Sequence, residues 1–194
     1  MQDDIIMKTG EALPEYKRYT YADYSEWDDD KRWELIDGEA YAMGAPNRVH
    51  QEISAQLFRV IVNHLVGKSC KVYAAPFDVR LNADSGDDTV VQPDILVVCD
   101  KTKLDEKGCL GAPDMVIEIL SPATALRDKV IKLRRYLRAG VREYWIVDPD
   151  SKSVSVHILK NGEYYISAYG DNDTVPVHVL EGCTVELSEI FADL

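Results

Sequence analysis

Four pieces of one stretch decide the fold: QPDILVV (92–98), APDMVIEILSP (112–122), RDKVIKLRRYLRAG (127–140) and REYWIVDP (142–149). MVIEIL is an apolar run of strand length, bounded by Pro113-Asp114 before it and Ser121-Pro122 after it. The basic run that follows has Thr124 as a cap, Val130, Leu133 and Leu137 as an apolar stripe, and Gly140 at its C-terminus, so it predicts a helix. EYWIVDP reads as another buried strand. The order strand, strand, helix, strand brings Asp94, Glu118 and Lys132 within reach of one α/β site, and two carboxylates with a lysine suggest metal-assisted phosphodiester chemistry.

Working outward toward the N-terminus, CKVYAAPFDVRLN (70–82) and TVVQPDILVV (89–98) are β-rich and predict adjacent central strands, separated by a solvated ADSGDD turn. Ile53, Leu57, Val60, Ile61 and His64 recur at helical spacing after Pro46-Asn47 and predict an amphipathic helix ending near Gly67. RWELIDGEAYAMG (32–44) alternates about Asp37-Gly38 and predicts a β-hairpin at one sheet edge. Thr20, with Asp23 three residues on, opens a short helix, and residues 1–18 have no period and read as a flexible arm.

Toward the C-terminus, DKTKLDEKGCLGAP (100–113) reads as a loop with at most one turn of helix. SVSVHILK, EYYISAYG and TVPVHVL predict an antiparallel extension of the sheet, and SEIFADL a short closing helix. Residues 19–194 are thus expected to form a single domain.

The 194 residues suffice for one sizeable core, and 46% apolar with 29% charged content is that of a folded soluble chain. No apolar run approaches a bilayer span and no secretory signal opens the sequence, so a cytoplasmic protein without membrane contact is expected. Cys70, Cys99, Cys109 and Cys183 form no CxxC pair and are expected as reduced, mostly buried thiols. The net charge of −12 weighs against nucleic-acid binding, but Arg127, Lys129, Lys132, Arg134, Arg135, Arg138 and Arg142 crowd into one segment that could make one face positive.

Each candidate residue carries two readings. Glu118 is the only charge inside a buried strand, which calls for a metal or for an ion pair with Arg127 or Lys132. Asp94 is either a site residue or a turn-forming Asp after Pro93, and Asp114 after Pro113 carries the same local signal. Lys132 is either a solvated lysine or, one turn from Asp128 and one from Tyr136, part of a face that meets Glu118. Glu34 and His50 stand as possible additional site residues. Ser121 lacks the glycines of a nucleophile elbow.

The succession ELIDGE, HQEIS, QPDILVV, APDMVIEILSP and GVREYWIVDP resembles the Uma-two family of restriction-endonuclease-like proteins, within the PD-(D/E)xK nuclease superfamily, from about Tyr19 to Ile190. The resemblance implies a restriction-endonuclease-like α/β core with a mixed sheet. It implies that Asp94 and Glu118 are the metal-binding acids for Mg2+ or Mn2+. The lysine that the superfamily places two residues after the acid is Leu120 here, and Lys132 on the next helix is the candidate for a migrated lysine. The expectation is a metal-dependent DNA endonuclease acting as a homodimer. The alternative is a catalytically inactive, dimeric binding or regulatory module of the same fold.

Overall fold

The computed structural model describes residues 17–28, 30–122, 124–192 and 194. Of the arm expected over residues 1–18, only Lys17 and Arg18 fall within this set, and neither is in a helix or strand. One helical turn, α1 (Tyr21–Tyr24), opens at Thr20, whose N–H donates to Asp23 Oδ2 at 2.9 Å. β1 (Arg32–Ile36) and β2 (Glu39–Met43) form the expected hairpin, with Asp37 and Gly38 at φ of 51° and 78°, the left-handed pair of a two-residue turn. α2 (Arg48–Leu65) begins at Asn47, whose side chain accepts from the His50 N–H. β3 (Lys71–Ala74), β4 (Val79–Arg80), β5 (Val90–Val91), β6 (Ile95–Val98), β7 (Leu104–Asp105) and β8 (Gly108–Leu110) follow. β9 (Met115–Ile119) leads through a π-helical turn (Arg127–Lys132) and α3 (Leu133–Ala139) to β10 (Glu143–Asp148). β11 (Ser153–Lys160), β12 (Glu163–Tyr169), β13 (Thr174–Pro176), β14 (Thr184–Glu186) and α4 (Leu187–Ile190) follow, and one 3-10 turn (Lys101–Lys103) precedes β7.

The central sheet has the order β12-β11-β10-β9-β6-β3. Only β9 and β10 are parallel, because the helical crossover between them returns the chain to the same end; every other neighbour is antiparallel. The sheet is therefore mixed, as the resemblance implies. A second sheet has the order β2-β1-β5-β4-β8-β7.

Both faces of the central sheet are covered. On one, Ile53, Leu57, Ile61 and Leu65 of α2 pack against Ile95, Val97, Met115, Ile117 and Ile119, together with Val175, Val185 and Ile190 from the C-terminal segment. Each fully buried aliphatic side chain of this kind contributes roughly 1.5–3 kcal/mol. On the other, Leu96, Val98, Val116, Tyr144 and Ile146 meet Tyr136 of α3 and Val79, Val91 and Cys109 of the second sheet. Glu118 lies on this second face, two residues from Val116 and from Leu120.

Several expectations are corrected. TVVQPDILVV is two strands, β5 in one sheet and β6 in the other, because Pro93 has no N–H to continue a ladder. CKVYAAPFDVRLN divides likewise around Pro76, which leaves β3 adjacent to β6 but at the edge of the central sheet. The hairpin β1-β2 lies at one sheet edge as expected, that of the second sheet. The expected loop 100–113 contains the hairpin β7-β8, in which Gly108 (φ 142°) brings its backbone so close to Asp78 that a Cβ would stand 2.1 Å from the Asp78 carbonyl oxygen. β11 and β12 extend the central sheet as predicted, whereas TVPVHVL leaves it to pair β13 with β14. The helix after Thr124 forms, but its buried residues are Asp128, Lys132 and Tyr136, while Val130 is exposed and Leu133 and Leu137 are half-buried.

Cys109 and Cys183 are buried free thiols. Cys70 and Cys99, expected reduced, are joined in a disulfide. The β3-β6 register, with Lys71 opposite Val98, sets them side by side at the end of that strand pair.

Candidate active site

The antiparallel register of β6 and β9 pairs Ile95 with Ile117 and Leu96 with Val116. Continued by one residue it sets Asp94 against Glu118 at one end of the sheet. Asp94 Oδ2 accepts the Ile119 N–H at 2.7 Å, which pins the carboxylate there. His50, in the first turn of α2, closes on the same oxygen, with Nε2 at 3.1 Å. Burial alone would depress the His50 pKa, but the bond to Asp94 and that carboxylate's charge outweigh it, and the pKa rises. Among the described residues the buried His50 Nδ1 has no hydrogen-bond partner.

Lys132 enters from the helix side. Its Nζ lies 2.7 Å from Glu34 Oε1, 2.9 Å from Glu118 Oε1 and 3.5 Å from Asp128 Oδ1, and its side chain is only 3% exposed. Tyr136, one turn further, donates its hydroxyl to Glu118 Oε1 at 2.6 Å. The spacing of four that sets Asp128, Lys132 and Tyr136 on one face thus builds one wall of the cluster. Asp128 and Lys132 lie in the π-helical turn, and such turns are frequent at functional sites. Glu34 arrives from β1 of the other sheet, and Arg127 Nη1 stands 3.4 Å from its second oxygen.

Burial pushes Glu118 well above the usual carboxylate range; Lys132 pulls it back, and Asp128, Asp94 and Glu34 push it up again. Burial also raises Asp128. Desolvation would depress Lys132, but Glu118, Glu34 and Asp128 outweigh it and hold the ammonium charged. Four carboxylates therefore share one end of the sheet with Lys132, Arg127 and His50.

The sequence-predicted residues Asp94, Glu118, Lys132, Glu34 and His50 are all brought together here. Asp128, Tyr136 and Gln92 were not singled out for the site, although Asp128 and Tyr136 were legible as neighbours of Lys132 on the helix. Gln92 contributes its backbone N–H to Glu34 Oε1 at 3.0 Å. Asp114 sits at the opposite end of β9, where Cys99 N donates to Oδ2 at 2.7 Å and Arg142 to Oδ1 at 3.0 Å. Ser121 Oγ bonds the Thr124 hydroxyl at the strand end.

The expected positive face is largely consumed by acids. Arg127 pairs with Glu34, Lys129 with Asp148, Arg135 with Asp37 and Arg142 with Asp114. A cleft of about 310 Å³ opens beside the cluster, lined by His50, Ser121, Lys129, Asp148 and the first turn of α2.

A metal would meet hard oxygen donors of the right kind. Among the described residues no three His, Cys, Asp or Glu side chains form a ready metal-holding group. Mg2+, however, is usually held by one or two carboxylates, with water and phosphate oxygens completing its shell. Asp94 and Glu118 supply that number; burial first, and the neighbouring Asp128, Asp94 and Glu34 carboxylates after it, raise Glu118, and a divalent cation would offset that carboxylate charge. The residues present fit such an ion.

Comparison with known proteins places the fold. A family model, Uma2, described as "Putative restriction endonuclease", matches residues 21–188. An uncharacterized protein of Synechocystis sp. (strain ATCC 27184 / PCC 6803 / Kazusa) is 28% identical over 155 residues, covering 78% of this chain and 80% of that one. A crystal structure from Anabaena variabilis, described as "a putative nuclease belonging to DUF820", superposes with a TM-score of 0.74 at 20% identity, over 90% of this chain and 98% of that one. No helix among the described residues is long and apolar enough to cross a membrane.

Proposed function

The chain belongs to the Uma2 family, and on that premise we propose that it is a divalent-metal-dependent nuclease hydrolysing DNA phosphodiester bonds at the Asp94–Glu118 end of the central sheet. The observation that carries this reading is the register of β6 and β9, which opposes the two acids where Lys132 and His50 also converge.

Asp94 and Glu118 would hold Mg2+ or Mn2+, which when bound supplies Lewis-acid polarisation of the phosphoryl group and activation of water. Ile119 N–H fixes Asp94, and Tyr136 and Lys132 fix Glu118, so the two carboxylates are oriented in advance. Lys132 remains charged and offsets the negative charge that builds at the phosphate. His50, at the wall of the cleft, holds the Asp94 carboxylate in place through Nε2. A two-fold homodimer would pair two such sites for two strands.

One observation favours the second reading, a non-catalytic binding module: Glu118 Oε1 is already taken by Lys132 and Tyr136, as in a closed structural network. Cleavage of supercoiled plasmid with Mn2+ or Mg2+ at low salt, beside Glu118→Gln, separates the two. The nuclease reading predicts nicked and linear product from wild type and none from the variant. Equal cleavage by both would remove Glu118 from the chemistry, and no cleavage by either would favour the module.

A further inference from the structure

A chain of aromatic rings runs from α1 to β1, the strand that carries Glu34. Centroids are 5.9 Å apart from Tyr21 to Tyr24, 5.5 Å from Tyr24 to Trp27 and 5.7 Å from Trp27 to Trp33. Packing accounts for Tyr21, which is buried with Leu35 and Val90. Tyr24, Trp27 and Trp33 are only half-buried, and they line a cavity of about 440 Å³. That volume lies within the roughly 300–1,000 Å³ usual for ligand sites. Lys31, Arg32 and Lys107 border the same cavity with one acid, Asp78, an excess of cations on a chain of net charge −12.

The floor is Gln92. Arg32 donates to its Oε1 at 3.1 and 2.8 Å, and its Nε2 donates to Asp78 Oδ1 at 2.9 Å and to the Tyr24 hydroxyl at 3.1 Å. The Tyr24 hydroxyl in turn donates to Asp78 Oδ1 at 3.0 Å. Both ends of the Gln92 amide are engaged, so the floor is set before a ligand arrives. Gln92 also joins this cavity to the site: its N–H bonds the same Glu34 oxygen that Lys132 contacts at 2.7 Å. Asp94 follows two residues later, roughly 6–7 Å along extended chain.

Partly exposed indole and phenol rings flanked by cations are the groups with which proteins stack an unpaired base and meet its phosphates. A base inside an intact duplex has no free face to offer. We propose that this cavity is a nucleobase-stacking subsite that holds an unpaired nucleotide of a DNA strand next to the carboxylate cluster. The choice of ligand rests on the nuclease reading, and it makes the preferred substrate a strand with unstacked bases.

Binding without divalent metal tests the subsite separately from catalysis. The full chain, in EDTA at low salt, is titrated into a labelled thymidylate decamer and into an abasic decamer of equal charge. Wild type is expected to bind the thymidylate strand about tenfold or more tightly than the abasic one, and the Trp27→Leu/Trp33→Leu double variant to lose that preference. Phenylalanine at both positions keeps it, because phenylalanine also stacks. Of the three tryptophans only Trp145 is fully buried, so quenching of tryptophan emission by the unlabelled thymidylate strand reports contact at Trp27 and Trp33. Equal affinity for both decamers, or a leucine variant that keeps the preference, overturns the subsite. Plasmid cleavage without base-dependent binding would sink the subsite and leave the nuclease reading standing; base-dependent binding without cleavage would do the reverse.

Discussion

Pro93-Asp94 and Pro113-Asp114 are the same dipeptide at the mouth of the same kind of apolar strand, and the fold sends them to opposite ends of one sheet. Asp114 accepts from one backbone N–H and one arginine. Asp94 accepts from one backbone N–H and His50, and it stands against a cluster in which Glu34, Glu118 and Asp128 all face a single lysine. One end distributes its charges in local pairs, as a structural carboxylate does. The other concentrates carboxylates around too few cations, which costs stability unless something else arrives there. Glu143, near Asp114, makes the same point, for Trp145 Nε1 and Val179 N each satisfy one of its oxygens.

The largest expected effect comes from removing the shared cation. Lys132→Met leaves three buried carboxylates without it and should cost about 3–5 kcal/mol in denaturant unfolding. Adding Glu118→Gln should recover part of that loss, since one of the stranded charges is then gone. A Lys132→Met protein as stable as wild type would mean that Lys132 does not hold the cluster together as described.

At the other end, Asp114→Ala orphans the Cys99 N–H and should cost about 1–3 kcal/mol while leaving metal-dependent cleavage at the wild-type rate. Loss of cleavage there would erase the contrast between the two ends.

The smallest effect concerns a buried titratable group belonging to neither end. His157 is held below its ordinary pKa, chiefly by burial, with the Tyr144 carbonyl 3.2 Å from Nδ1 pulling the other way. A depressed histidine contributes its stability in full above the unfolded value near 6.5 and loses it as pH falls below that value. Melting temperatures at pH 7.5 and 5.5 should therefore fall further for wild type than for His157→Phe. An equal drop in both would show that His157 is not desolvated in the folded chain.

Much of this contrast was legible in the sequence. Strand order and a helical spacing of four were enough to bring Asp94, Glu118 and Lys132 together, with Asp128 and Tyr136 beside the lysine. Choosing Asp94 over Asp114 was not possible from composition, since the choice lies in the antiparallel register of β6 and β9, which is a long-range property. Glu34 stood as a possible addition from the hairpin, but its meeting with Lys132 and with the Gln92 N–H was not legible, because it depends on a second sheet that exists because TVVQPDILVV breaks at Pro93. That proline was the available signal. The hairpin β7-β8 was hidden by its polar composition, and the Cys70–Cys99 bond by its dependence on the pairing of β3 with β6. The basic run 127–142 suggested a nucleic-acid face, yet most of it is paired with acids that are distant in sequence.

The measurement that bears most directly on the Asp94–Glu118 end is calorimetric titration of Mn2+ into wild type, Asp94→Asn and Asp114→Asn. A cation site at this end predicts binding by wild type and by Asp114→Asn, and its loss in Asp94→Asn. Binding that survives Asp94→Asn, or no binding by wild type, would contradict it.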